Sequence, residues 1–252
     1  MNTFDLSGRL AVVTGGASGI GSGIVSVLAR AGAHVVVADC NEEGAARTAE
    51  ALRAEGLGAS HLLLDLADEA SVVRGCAALV RTHGAPWALV NNAGLQDRQL
   101  LLDETVEGWE RTLAVNTRGP FLMTRELARA MIAAQSGGRI VHIASAALIG
   151  ALTTGHSAYA ASKAALLGLM RANALELAPH GITVNAVLPG GVITPGAIAA
   201  SGPKPEGPGC RPPALGLSEP EDIGAAVLFF ASPAARKITN QALAVDAGWS
   251  IT

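Results

Sequence analysis

"RLAVVTGGASGIGSGIVSVLARAG", Arg9 to Gly32, decides the fold. It opens on a short apolar run rich in valine, the signature of a strand buried on both faces. The run breaks at a turn whose glycines, Gly15, Gly19 and Gly21, are spaced GxxxGxG, with Ser18 and Ile20 between them. A helical pattern follows and is stopped by Gly32. Strand, glycine turn and helix in this order form an anion cradle. Glycines let the backbone bend sharply and approach a pyrophosphate, whose charge then sits at the helix N-terminus. The spacing differs from the common GxGxxG, but the physical requirements are the same.

The rest of the chain repeats the alternation. Strands are expected at "AHVVVAD", "HLLLDL", "WALVNNAG", "GRIVHIAS", "ITVNAVLPG" and "QALAVDAG". Helical patterns lie between them, including a long one from about Thr105 to Ala134 that Gly119-Pro120 should kink. Apolar strands alternating with helices predict an α/β fold: one doubly wound Rossmann-type domain spanning 1–252. Its central parallel sheet should have about seven strands, with helices on both faces. Thr194 to Gly216 is the exception, carrying Pro195, Pro203, Pro205, Pro208, Pro212 and Pro213 of the chain's 12 prolines. A loop of that length after the sixth strand is expected to be a substrate-binding lid.

Composition narrows the function. Charged residues make up 15% of the 252, against roughly 25% in an average domain. So little charge to coat a surface points to a homo-oligomer. A net charge of −3 offers no electrostatic reason for a nucleic-acid or membrane partner. Cys40, Cys76 and Cys210 are scattered and odd in number, as expected of reduced thiols in a cytoplasmic protein. Met1 to Leu10 has no basic segment before an apolar run, so no signal peptide is expected. No cluster of histidines or cysteines predicts a metal.

Asp39 closes the second strand eighteen residues beyond Gly21. A carboxylate there accepts hydrogen bonds from adenosine ribose hydroxyls and repels a 2′-phosphate. Neither Gly16 nor Cys40 supplies a cation to bind that phosphate, so NAD is the expected cofactor.

The chain's one tyrosine, Tyr159, lies four residues before Lys163, one of three lysines. At i and i+4 they share a helix face. A nearby ammonium favours phenolate and brings the phenol toward the range useful for acid–base work. Ser145 ends the fifth strand fourteen residues earlier, where its hydroxyl could join the phenol on one substrate oxygen.

These motifs resemble, in order, those of the classical short-chain dehydrogenases/reductases: "TGGASGIG", "NNAG" at Asn91–Gly94, Asn116, Ser145, "YAASK" and "LPGGVIT". The resemblance runs from Leu6 to the closing "VDAGWS". It implies that Tyr159 is the acid/base and that Lys163 depresses its pKa and holds the nicotinamide ribose. Ser145 would polarise the substrate oxygen, and Asn116 would organise its helix and a proton-relay water. Asn92, Ala93 and Gly94 would let the cofactor pass the fourth strand, while Asp65, closing the third strand, and Leu66 would contact adenine. Pro189, Gly190, Val192 and Thr194 would line the nicotinamide. Leu95, Gln96, Leu148 and Leu152, beside Ser145 and Tyr159, are the expected substrate contacts. His156 is read either as a helix-start residue or as one that orients a substrate oxygen.

The implied activity is NAD-dependent interconversion of a small-molecule secondary alcohol and a ketone, by a homotetramer. A second reading is reduction of acyl chains on a carrier protein. Against it, the places where such enzymes carry basic docking residues read Ser136-Gly137-Gly138 and Pro179-His180. A non-catalytic NAD-binding sensor, or an epimerase or dehydratase working by transient oxidation, is also compatible with the fold.

Overall fold

The computed structural model describes residues 3–198 and 201–251. Seven strands form one sheet: β1 (Leu10–Thr14), β2 (His34–Asp39), β3 (Ala59–Leu63), β4 (Ala88–Asn91), β5 (Gly138–Ile143), β6 (Ile182–Pro189) and β7 (Ala242–Val245). They pair in the order β3-β2-β1-β4-β5-β6-β7, all parallel. The chain runs outward from β1 in one direction, then returns to build from β4 in the other. A crevice therefore opens beyond the carboxyl ends of β1 and β4, where doubly wound folds bind ligands.

Pleating explains why the strands read as unbroken apolar runs. Val37, Val13, Val90 and Val141 point to one helical layer, and Val36, Val12, Leu89 and Ile140 to the other. The first layer is built by α1 (Gly19–Arg30), α2 (Glu42–Ala54) and α8 (Pro220–Ala231). The second holds α3 (Glu69–His83), α5 (Gly119–Ala133) and α6 (Ser157–Leu177). Helices α4 (Val106–Leu113) and the short α7 (Pro195–Ile198) complete the count among the described residues.

Three expectations need correction. The kink expected at Gly119-Pro120 is a π-turn at Ala114–Arg118, joining α4 to α5 without a break. Pro120 cannot donate, so one carbonyl a turn earlier loses its α-helical partner; just ahead of it the Gly119 N–H reaches back to the Ala114 carbonyl, one residue further than in an α-helix. Asp65 does not close the third strand, which ends at Leu63. Its N–H goes to Ser71 Oγ and its carboxylate accepts from the Ala67 N–H, so a local turn has replaced the ladder. Ser145 likewise lies two residues past the end of β5.

Candidate active site

The glycine turn is fixed by contacts only glycine allows. Gly15 (φ 66°) and Gly19 (φ 55°) are left-handed. A Cβ on Gly21 would collide with the Gly15 carbonyl, and one on Gly15 would come 2.8 Å from the Ala93 Cα. Helix α1 begins at Gly19 with no side chain capping it and no acid in its first turn. Its leading N–H groups therefore carry the positive end of the helix dipole without a competing carboxylate, as a diphosphate requires. Thr194 packs over the turn: a Cβ on Gly19 would be 3.3 Å from the Thr194 Cβ.

Beside this turn lies a cavity of about 250 Å³, lined by Thr14, Gly15, Asp39, Asp65, Leu66 and Ala93. Asp39 Oδ2 accepts the Ala17 N–H at 3.0 Å and Oδ1 the Asn41 N–H at 2.9 Å, so turn and carboxylate hold each other. The uncapped dipole, the glycine cradle and two carboxylates at the ribose end fit an adenine dinucleotide. A larger concavity of about 430 Å³ opens at the amino end of the sheet, near Arg9, Leu10 and His34. It lies at the opposite strand ends from Tyr159 and takes no part in the site.

Ile20 packs against the core and Ser18 is exposed at the turn. Asn92 pins the ends of β1 and β4 together, its Nδ2 donating to the Thr14 and Gly15 carbonyls at 2.9 and 3.2 Å. Thr14 Oγ1 accepts the N–H groups of Asn92 and Ala93. Gly94 must be small, since a Cβ there would sit 3.2 Å from Lys163 Nζ and 3.3 Å from Asn116 Oδ1. Pro189 ends β6. Gly190 turns against β7, where a Cβ would meet the Asp246 Cα at 2.7 Å. Val192 is buried and bridges Ser218.

Ser145, Tyr159, Lys163 and Asn116 converge. Ser145 Oγ accepts the Ala147 N–H at 3.1 Å, and its hydroxyl stands near enough to the Tyr159 phenol to favour the phenolate. Lys163, 4% exposed, donates from Nζ to the Ile143 carbonyl at 2.8 Å. Burial lowers its pKa to about 8, so the ammonium persists at neutral pH. The expected depression of the Tyr159 pKa is not seen: burial raises it, and the neighbouring Ser145 hydroxyl opposes that only in part. The ammonium lies 5.7 Å from the Tyr159 ring centre and is turned to a carbonyl of β5.

Asn116, wholly buried in the π-turn, accepts the Leu95 N–H at 2.7 Å and donates to the Leu95 carbonyl and to Ser162 Oγ. Its side chain ties the loop after β4 to α6, so any water it serves must be met by its main chain. Leu95 lines the cavity with Asp39 and Asp65. Gln96 and Leu152 are exposed, while Leu148 packs partly into the core.

Arg111 and Val115, also on the cavity wall, are missed by the sequence reading. They are one helical turn apart on a segment whose facing is set by the π-turn, which no local motif announces. Thr14 is missed too, although a hydroxyl closing an apolar strand is a usable signal. No group of three or more His, Cys, Asp or Glu that could hold a metal ion occurs among the described residues, and no described helix is long and apolar enough to cross a membrane.

The family described as Enoyl-(Acyl carrier protein) reductase matches residues 15–250. A 2,5-dichloro-2,5-cyclohexadiene-1,4-diol dehydrogenase of Sphingobium indicum is 37% identical, with 98% of each chain covered. An NAD-dependent glycerol dehydrogenase of Listeria innocua is 34% identical over 98% of this chain and 96% of its own. The crystal structure of a short-chain type dehydrogenase/reductase from Mycobacterium marinum superposes with a TM-score of 0.91, at 31% identity, covering 100% of this chain and 99% of the other. The chain belongs to the short-chain dehydrogenase/reductase family and is an oxidoreductase of that type.

Proposed function

We propose that the protein oxidises a secondary alcohol to a ketone, and reduces it in reverse, with NAD as cofactor and Tyr159 as the acid/base. The observation that carries this reading is the gathering of the Ser145 hydroxyl, the Tyr159 phenol and the buried Lys163 ammonium at the sheet end where the glycine turn lies. Relatives named for a diol and for glycerol support an alcohol substrate.

When bound, the nicotinamide supplies the hydride acceptor or donor. Gly15, Gly19 and Gly21 with the α1 N-terminus would hold its diphosphate, Asp39 the adenosine ribose, and Val192 and Thr194 the nicotinamide side. In oxidation Tyr159 Oη takes the hydroxyl proton as the carbinol carbon gives up hydride and the carbonyl forms. Ser145 Oγ holds the substrate oxygen throughout. Lys163 Nζ would turn from the Ile143 carbonyl to the nicotinamide ribose and the phenol, where its charge favours phenolate.

Because burial raises the phenol's pKa, the protonated form prevails at neutral pH. Ketone reduction needs that form. Oxidation needs it ionised and therefore speeds up as pH rises. NAD is favoured over NADP because Asp39 would repel a 2′-phosphate. The exposed Leu175 on α6 and Leu243 on β7 support a homotetramer, which sedimentation at micromolar concentration tests; a monomer contradicts it.

The test follows reduced-nicotinamide absorbance with a panel of secondary alcohols, using NAD and NADP in turn. Turnover with NAD and a preference of at least tenfold over NADP are expected. Binding of NAD without turnover of any alcohol or ketone would favour a sensor.

A further inference from the structure

Five buried side chains among the described residues carry a polar atom with no hydrogen-bond partner. Asn91, Arg139, His142 and Thr183 lie within β4, β5 and β6. His156 alone lies outside the sheet, and it lies beside Tyr159.

His156 occupies the position before α6 but makes no capping hydrogen bond with its side chain. It is 8% exposed, and its ring centre is 5.2 Å from that of Tyr159. Nδ1 is hydrogen-bonded to Thr153 Oγ1 at 2.9 Å, while Nε2 finds no partner. The backbone on either side is fixed. His156 bridges Gln99, and its carbonyl accepts the Ala160 N–H at 2.8 Å. A buried nitrogen left unpaired costs about 1–3 kcal/mol, a cost that a hydrogen-bonding group on a bound substrate would relieve.

The surroundings keep the ring neutral: burial and the nearby Arg98 guanidinium hold its pKa below the ordinary histidine range. A neutral imidazole has one donor and one acceptor. With Nδ1 committed to Thr153, Nε2 remains for one more group. A hydroxyl suits it in either tautomer, since it can both donate and accept. The wall that carries Thr153 is itself backed by the Pro-rich segment. The Thr154 N–H donates to the Glu206 carbonyl at 2.8 Å, and the Gly209 N–H to the Leu152 carbonyl at 2.9 Å.

We propose that His156 Nε2 hydrogen-bonds a second substrate hydroxyl, on the carbon next to the reacting carbinol. Vicinal diols and polyols, or α-hydroxy ketones in the reverse direction, would then be the preferred substrate class. This rests on the Tyr159 reading above. The reacting oxygen is held by Tyr159 and Ser145, and the His156 ring, three residues before Tyr159 in the chain, is centred 5.2 Å from the phenol ring. At that separation, a hydroxyl on the neighbouring carbon would point from the phenol toward the imidazole.

The experiment compares kcat/KM for propylene glycol with that for isopropanol, and for hydroxyacetone with that for acetone. It uses wild type, His156→Phe and His156→Gln, with folding of each variant checked by binding of the reduced cofactor. Wild type should favour the hydroxylated member of each pair by about tenfold or more, the scale of a hydrogen bond to a group otherwise left unpaired. His156→Phe should bring both ratios close to one, whatever happens to the absolute rates. His156→Gln, whose amide can replace the imidazole's hydrogen bond, should restore part of the preference. A wild-type ratio near one, or a ratio unchanged in His156→Phe, overturns the assignment of His156 while leaving Tyr159 in place. No turnover of any of the four compounds by wild type overturns both.

Discussion

The two halves of the cleft are built by different means. On the cofactor side, backbone meets backbone. A side chain on Gly21 would strike the Gly15 carbonyl and one on Gly15 the loop after β4, Gly19 holds a left-handed φ under Thr194, and Asn92 and Thr14 clamp the two strands that open the crevice. On the substrate side the walls are loops and a Pro-rich segment joined by scattered bonds. Arg98 Nε reaches the Pro203 carbonyl at 3.1 Å, the Glu206 N–H reaches Thr154 Oγ1 at 3.0 Å, and Trp249 Nε1 reaches the Arg211 carbonyl at 2.6 Å. The first half admits almost no change of residue type, whereas the second tolerates many. A fixed cofactor cradle and a more adaptable substrate wall can therefore share one scaffold.

The largest effect that could break this division falls on the residue where the halves meet. Tyr159→Phe should lower kcat/KM about a thousandfold, the scale of general acid–base catalysis. Affinity for the reduced cofactor, followed by its fluorescence, should stay near that of wild type. On the cofactor side, Gly21→Ala forces a methyl into the Gly15 carbonyl and should cost about 3 kcal/mol or more of stability, read from denaturant midpoints.

The floor under both halves has its own signature. His142 is completely buried in β5, its Nδ1 against Asn91 Nδ2 at 3.2 Å, and burial lowers its pKa from 6.5 to about 4. The unfolded chain binds this proton more readily than the folded one between those values. Stability is therefore complete above pH 6.5 and falls by about 3 kcal/mol as pH drops to 4. Melting temperatures across that window should fall less steeply in His142→Gln.

Smaller effects sharpen the contrast. Asp39→Asn keeps the shape of the turn but removes the charge, and should lower the preference for NAD over NADP about tenfold, a typical contribution of a charged hydrogen bond. Leu152→Ala, at a residue 42% exposed on the substrate side, should change stability by less than about 0.5 kcal/mol in a thermal melt.

The same division explains what could be read without coordinates. The glycine turn, Asp39 and the Tyr159–Lys163 spacing are legible because chemistry or steric closeness demands those residue types at fixed local intervals. The inner strands β1, β2, β4, β5 and β6 are legible because burial on both faces makes them mostly apolar. The place of Leu95 on the wall of the Asp39 cavity is not legible because Asn116, twenty-one residues later, takes both of its backbone groups and fixes the loop. Arg111 is hidden because a π-turn, not a local pattern, sets which way its helix faces. The raised Tyr159 pKa escapes because helical spacing gives proximity to Lys163 but neither the burial of the phenol nor the Ile143 carbonyl that takes the ammonium's hydrogen bond.

A crystal structure with bound NAD is the most direct measurement. It should place the nicotinamide's reactive carbon facing the Tyr159 hydroxyl, with Lys163 Nζ released from Ile143 onto the adjacent ribose. A phenol turned to solvent, or a nicotinamide lying away from Ser145 and Tyr159, would contradict the account.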